Sequence, residues 1–389
     1  MPCLWCIAGG LTQALMAGEG CADPEVVAAL ERANRLVTET GAVGTPLHFF
    51  VLYGLWVSNS TAGAIAAALE HASNFLSIAQ SQPSSGPLLV GYRTLAQSLI
   101  VSGDYRAALA HFETAVSLYR PDEHRDSAFH YGQDIGVSAF GALSWALWHR
   151  GYPDQSARAA DRALVYSREL GHARTLAHAL YLAGMAAVFA RDVANVYARS
   201  NDCVALASEH GFAQWAAVGR ILQGWADAQK GEATTGIARI RDGLAASEAT
   251  GRRGATPLFL TLLAEAQALA GKIEEGLATL DDALAQAAAS GERGWNAEIH
   301  RLCGELTARL PYPDPAKAEE SFRTALAIAR EQGTRGYELR AATSLARLWR
   351  EQGRRGEARD LLAPLYGSFT EGFDTADLKD AKALLDELA

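Results

Sequence analysis

Small and apolar side chains recur along this chain at fixed distances from a series of turns. One residue in each short intra-hairpin turn serves as a marker: Gly20, Ser60, Gly103, Gly151, Arg191, Gly231, Gly271, Pro313 and Gly353. The steps between markers are 40, 43, 48, 40, 40, 40, 42 and 40 residues. Seven residues before the marker the site is small (Ser144, Gly184, Gly224, Ala264, Ala346), and five after it is small again (Ala108, Ser156, Gly236, Gly276, Ala318, Ala358). Twelve after it stand Ala115, Ala163, Cys203, Gly243, Ala283 and Ala325, and nine after it core-filling residues are common (Phe112, Ile240, Leu280, Phe322, Leu362). A second glycine series, Gly171, Gly211, Gly251, Gly291 and Gly333, marks the boundaries between hairpins. A period of about 40 residues predicts stacked helical hairpins. The expected fold is therefore all-α, a right-handed superhelical solenoid of about nine hairpins with helices of roughly 16–18 residues. Glycine inside a helix costs about 1 kcal/mol against alanine, so its repeated use at Gly224, Gly236, Gly243 and Gly276 implies close helix packing.

The three small sites resemble the tetratricopeptide pattern, with each helix about a turn longer, as in the long-helix repeats of maltose-regulator-like signalling ATPases. The 48-residue step carries its extra length in Tyr119–Ile135, where Pro121 breaks a helix and a charged run follows. This divides the expected solenoid into repeats over 1–120, an irregular loop over 121–135, and repeats over 136–389. At the end of the chain Asp374 is the expected cap of a closing helix, Ala376–Leu388. Ser81–Pro87 reads as a long inter-repeat turn, or else as a linker.

Longer segments are more specific, among them FHYGQDIGVSAFGALSWALWHRGYPDQSARAADRAL (129–164), GFAQWAAVGRILQGWADAQKG (211–231) and LLAPLYGSFTEGFDTADLKDAKALLDEL (361–388). Together with 292–306 and 338–354 they resemble the C-terminal helical-repeat region of bacterial multidomain signalling proteins. In those proteins a class III adenylate/guanylate cyclase or related output domain and a signal-transduction ATPase precede the repeats. The resemblance implies a non-catalytic sensor or interaction module that regulates an NTPase or cyclase output in cis or in trans. It carries no catalytic residue to this chain: there is no GxxxxGK[ST], and the one Gly-Lys pair, Gly271-Lys272, is followed by Ile273. GxSxG and HEXXH are also absent. The chain reads as a separately encoded sensor arm or a piece of a longer protein, since Met1 opens within an apolar helical stretch.

Composition narrows the partners. Hydrophobic residues make up 49% of the 389, enough for a continuous core, and the net charge is -9 with no basic block. That is a poor design for gripping nucleic acid. No stretch of about 18 apolar residues and no basic n-region before Leu4–Met16 predict neither a membrane span nor a secretory signal, so the expected place is the cytoplasm. Five cysteines fit a reducing compartment, with Cys203 and Cys303 as small core residues. Cys3, Cys6 and Cys21 fall short of a zinc set. No cofactor and no metal are expected.

The tryptophans are the main binding candidates. Trp145, Trp148 and Trp225 lie six or three residues before a marker, at sites that face the concave side of tetratricopeptide stacks. Trp215 and Trp295 lie four residues after boundary glycines. One reading is an aromatic groove for a protein or peptide partner or a small effector; the other is inter-repeat core. The loop adds His130, Tyr131, Gln133 and Asp134. These either bind a small ligand, making the chain a stand-alone receptor through 124–134, or cap the next helix through Asp134.

Overall fold

The computed structural model describes residues 22–389 apart from Arg125. Gly20, Leu4–Met16 and the cysteines at 3, 6 and 21 lie outside the described residues. The chain opens with α1 (Pro24–Glu39) and then runs as hairpins. The first two are α2 (Pro46–Ala62) with α3 (Ile65–Ala79), and α4 (Ser85–Ser102) with α5 (Tyr105–Leu118). Two short helices follow, α6 (Pro121–His124) and α7 (Ser127–Tyr131). Then come α8 (Ile135–His149) with α9 (Pro153–Leu170), α10 (Ala173–Phe189) with α11 (Val193–Glu209), and α12 (Ala213–Gln229) with α13 (Ala233–Ala249). The last three hairpins are α14 (Thr256–Leu269) with α15 (Ile273–Ser290), α16 (Asn296–Thr307) with α17 (Pro315–Gln332), and α18 (Arg335–Glu351) with α19 (Arg355–Tyr366). A closing helix, α20 (Ala376–Leu388), ends the chain. The fold is an all-helical, tetratricopeptide-like solenoid.

The turn chemistry explains the regularity. Backbone φ is positive at Gly103, Gly151, Gly231, Gly271 and Gly353, where a side chain would strain the turn, and Arg191 adopts the same conformation at φ 56°. Aspartates start several helices: Asp104, Asp134, Asp192 and Asp314 each accept a bond from the backbone N–H three residues on. Small residues set the packing distance. A Cβ on Gly236 would lie 2.4 Å from the Gly224 carbonyl oxygen, and one on Gly224 would lie 2.6 Å from the Gly236 oxygen. The backbones of α12 and α13 are therefore in direct contact.

The first helix of each hairpin lines the inside and the second the outside. Every residue of α8 is buried, whereas α9 buries only one face. A helix apolar all round must be enclosed; α4, α5, α9 and α10 cover most of α8, and α18 of the next superhelical turn closes over its axial face. Tyr105 donates to the Gly294 carbonyl at 2.6 Å, His149 Nδ1 meets Thr334 Oγ1 at 3.0 Å, and Arg191 pairs with Asp380 at 3.3 Å. These partners are 189, 185 and 189 residues apart. At the first described hairpin Arg253 and Gly254 likewise donate their backbone N–H groups to Thr61 O at 2.8 and 2.9 Å. Intra-hairpin turns of the first superhelical turn thus interlock with inter-hairpin turns of the second.

Four sequence expectations need correction. The left-handed residue of the first described hairpin turn is Gly63, three residues after the assigned Ser60. Residues 121–135 are not an open loop but hold α6 and α7, which keep the backbone groups of the insertion paired. Thr375, not Asp374, sits at the N-cap of α20, and the Asp374 carboxylate is exposed, 3.7 Å from Lys379. Cys203 is a core residue, but Cys303 is only half-buried. Ser81–Pro87 joins α3 to α4, which pack on each other, and α4 already begins at Ser85.

Candidate functional site along the superhelix axis

Spacing i, i+3, i+4 on α8 puts Trp145, Trp148 and His149 on one face, and that face meets the axis. Phe189 at the end of α10 stacks on Trp148 at 5.5 Å and on Trp295 at 5.9 Å. Trp295 comes from the second superhelical turn, as does Tyr337, edge-on to Trp148 at 5.4 Å. His149 stacks on Tyr105 at 3.9 Å. Burial, with Arg340 nearby, holds the His149 pKa well below its usual value, so the ring is neutral. Such aromatic pairs add about 0.5–1.5 kcal/mol each beyond the area they bury. Of the two sequence readings, inter-repeat core describes these side chains among the described residues: Trp145, Trp148, Trp215, Trp225 and Trp295 are all 8% exposed or less, and most of them meet other aromatic rings at the axis. The concave side is short of solvent because the second turn covers it.

Among the described residues two cavities lie along the axis. The first, of about 270 Å³, lies between α12, α14, α16 and α18 and is bordered by Trp225 and Trp295. Its charges are internally matched. Glu298 accepts two bonds from Arg301, both at 2.8 Å, and one from Arg340 at 3.3 Å. Burial would raise the Glu298 carboxyl, but Arg301 and Arg340 override it and hold it at about 2. Arg340 also pairs with Asp377 at 2.9 Å and lies over the Trp148 ring at 4.8 Å. Glu265 accepts from Trp225 Nε1 at 2.7 Å and from Gln229 at 3.0 Å.

The second cavity, of about 180 Å³, lies between α2, α4, α8, α10 and the turn before α14. Trp145, Trp215 and Trp295 border it on one side, and Tyr131 and Gln133 on another. Tyr131 packs edge-on to Tyr53 at 4.7 Å, and Gln133 donates to the Tyr53 hydroxyl at 3.1 Å. Trp215 stacks on His178 at 4.8 Å. Burial, with Arg93, Arg252 and Arg174 around it, keeps His178 neutral. Glu292 is the one carboxylate on the wall. It accepts the Ala255 N–H through both oxygens, at 3.1 and 3.0 Å. Burial raises its pKa to about 7 despite that bond and Arg252.

The candidates from the sequence thus divide. Trp145, Trp215, Trp295, Tyr131 and Gln133 converge on the second cavity, and Trp225 borders the first. Trp148 touches neither and is core. Asp134 is the N-cap of α8, accepting the Val137 N–H at 2.8 Å, and His130 is exposed. His124 is buried against Ser85 at 3.2 Å. Among the described residues no His, Cys, Asp and Glu side chains are grouped as a metal-ligand set. None of these helices is long and apolar enough to cross a membrane. Sequence reasoning missed Arg93, Arg174, Arg252 and Glu292. Arg93 had a signal, as the one charged residue in SGPLLVGYRTLAQSLIVS, the whole of α4.

No family model matches the chain. An uncharacterized protein of Rhizobium meliloti (strain 1021) is 27% identical over 247 residues, which cover 63% of this chain and 24% of that protein. The chain therefore spans about a quarter of the length of that curated relative. Among solved structures, a Rap protein complexed with Competence and Sporulation Factor superposes with a TM-score of 0.65 at 11% identity, over 99% of both chains. The APC/C hetero-tetramer Cut9-Hcn1 gives 0.51 at 13% identity, over 92% of this chain and 59% of that one. At these identities the likeness is one of fold.

Proposed function

We propose that this chain is a non-catalytic receptor module whose occupant sits in the axial cavities and whose occupied state is read by a partner protein. The observation that carries this is the position of the cavities. They lie where the two superhelical turns meet, so an occupant touches helices roughly 190 residues apart and changes how firmly the turns hold each other. Binding energy is thereby linked to a global property of the solenoid. The similarly folded Rap protein, solved with a factor bound, supports this reading. The partner read-out, an NTPase or cyclase module in cis or in trans, rests on the sequence resemblance.

A second reading, a small-ligand receptor using residues 124–134, draws support from Tyr131, Gly132 and Gln133 on the wall of the second cavity. The cavities favour a small effector over a long peptide, because an apolar cavity of about 150 Å³ holds one benzene. Thermal stabilisation of the purified chain by small organic molecules and short peptides tests both. Trp215→Ala, at the cavity wall, is expected to weaken stabilisation while keeping a cooperative melt. Trp148→Ala, in the core, is expected to lose about 3–5 kcal/mol of stability. Equal collapse of both variants, or turnover of any bound compound, contradicts the assignment.

A further inference from the structure

The second cavity holds a charge without a counter-charge. Arg93 is 3% exposed, and its Nε and Nη1 have no hydrogen-bond partner. Its guanidinium lies 4.9 Å over the Trp56 ring, a contact that orients a cation without neutralising it. Among the described residues no carboxylate comes within ion-pair distance of it. Arg252 borders the same space, so the buried guanidiniums of Arg93 and Arg252 stand beside one carboxylate, Glu292, which is already engaged by the Ala255 N–H. The Nε of Arg252 is likewise buried and unpaired.

The first cavity shows what a self-sufficient set looks like in this protein. There Arg301, Arg340 and Arg191 each have acidic partners in place. Burying a lone charge is costly, and proteins pair such charges. A guanidinium does not relieve the cost by losing its proton. Trp56, Tyr53 and Trp145 stand on the same wall, among aliphatic and uncharged polar side chains such as Ile65 and Gln97.

We infer that the second cavity binds a small organic carboxylate with a planar apolar body, Arg93 serving as its counter-ion and Trp145 and Trp215 flanking the body. This rests on the receptor reading above and names the chemistry of its occupant. The planar fork of Arg93 suits bidentate capture of a carboxylate. The carboxylate belongs either to a free acid or to the C-terminus of a peptide ending in an aromatic residue.

Calorimetric titration separates these sources. The probes are phenylacetate, its neutral analogue phenylacetamide, and a tripeptide ending in Phe as free acid and as amide. Phenylacetate or the free-acid peptide is expected to bind at least about tenfold more tightly than its amide, and whichever acid binds identifies the source. Arg93→Met is expected to abolish that preference while melting at or above the wild-type temperature, because it removes an unpaired buried charge. Arg93→Lys should retain part of the binding. Equal affinity for acid and amide overturns this inference and leaves the receptor reading standing. Failure of both acids at millimolar concentration overturns it too, with the receptor reading then decided by amide exchange between the turns. Unchanged acid binding in Arg93→Met, or a lower melting temperature for that variant, shows that Arg93 is structural.

Discussion

Glu292 shows how one buried group links the cavity to pH. Burial raises its pKa from 4.5 to about 7, opposed by the Ala255 N–H and by Arg252. Tyr181, also buried, adjoins it. The folded state therefore holds this proton more tightly than the unfolded chain does. The associated stability is present in full below the unfolded value and is lost as pH rises through about 7. Glu292→Gln removes that loss, so the melting temperature of the variant should gain on the wild type between about pH 5 and pH 8. Parallel curves would show that the carboxyl is ionised throughout. Little of this was visible in the sequence, where Glu292 stands in GERGW as an ordinary turn residue. Its carboxylate instead reaches the Ala255 N–H in the turn before α14, the turn whose Arg253 and Gly254 amides meet Thr61 of α2 from another superhelical level. Arg93 was more legible, because an isolated charge in an apolar helix demands either a partner or a ligand.

At the scale of the helix, spacing was the readable signal. Glycines at positive φ and small residues facing each other follow directly from the period, and both Gly224 and Gly236 stand where that reasoning places close contacts. Gly236→Ala should destabilise the fold by about 1–3 kcal/mol, as overpacking does. Gly356 is the contrast: it lies in the first turn of α19 with nothing within 4 Å of an added Cβ. Gly356→Ala should raise stability by a few tenths to about 1 kcal/mol. Chemical denaturation of the two variants measures both signs, and two changes of the same sign would refute the packing account. The insertion at 119–135 was less legible. Its short helices α6 and α7 are four and five residues long, below the length at which periodicity can be read. The first described turn was misplaced onto Ser60 because spacing alone does not distinguish it from Gly63 three residues on.

The whole molecule is where the sequence was most opaque. Solenoid logic treats each repeat as packing on its neighbours, and it makes the concave side an open groove. Here the superhelix is wound tightly enough that its second turn closes on its first. The contacts that do this fall largely on backbone groups of turns, such as Thr61 O, Gly294 O and the N–H groups of Arg253 and Gly254. Backbone groups carry no residue signature, so nothing in the pattern of small and apolar sites announces the closure. Of the tryptophans placed on the concave side, Trp145 and Trp148 meet other aromatics at the axis, whereas Trp225 donates to Glu265 at the first cavity. What is left open are the two cavities, bordered by both turns.

The central claim is that an occupant of these cavities is felt where the turns lock. Hydrogen–deuterium exchange of the Arg253 and Gly254 amides, with and without a ligand that stabilises the chain, tests it most directly, because both amides bond Thr61 O across the two turns. The account predicts slower exchange at these two amides when ligand is bound, with little change along the outer helices α9 and α11. Exchange that slows only on the outer helices, or is unchanged between the turns while the ligand is bound, would contradict it.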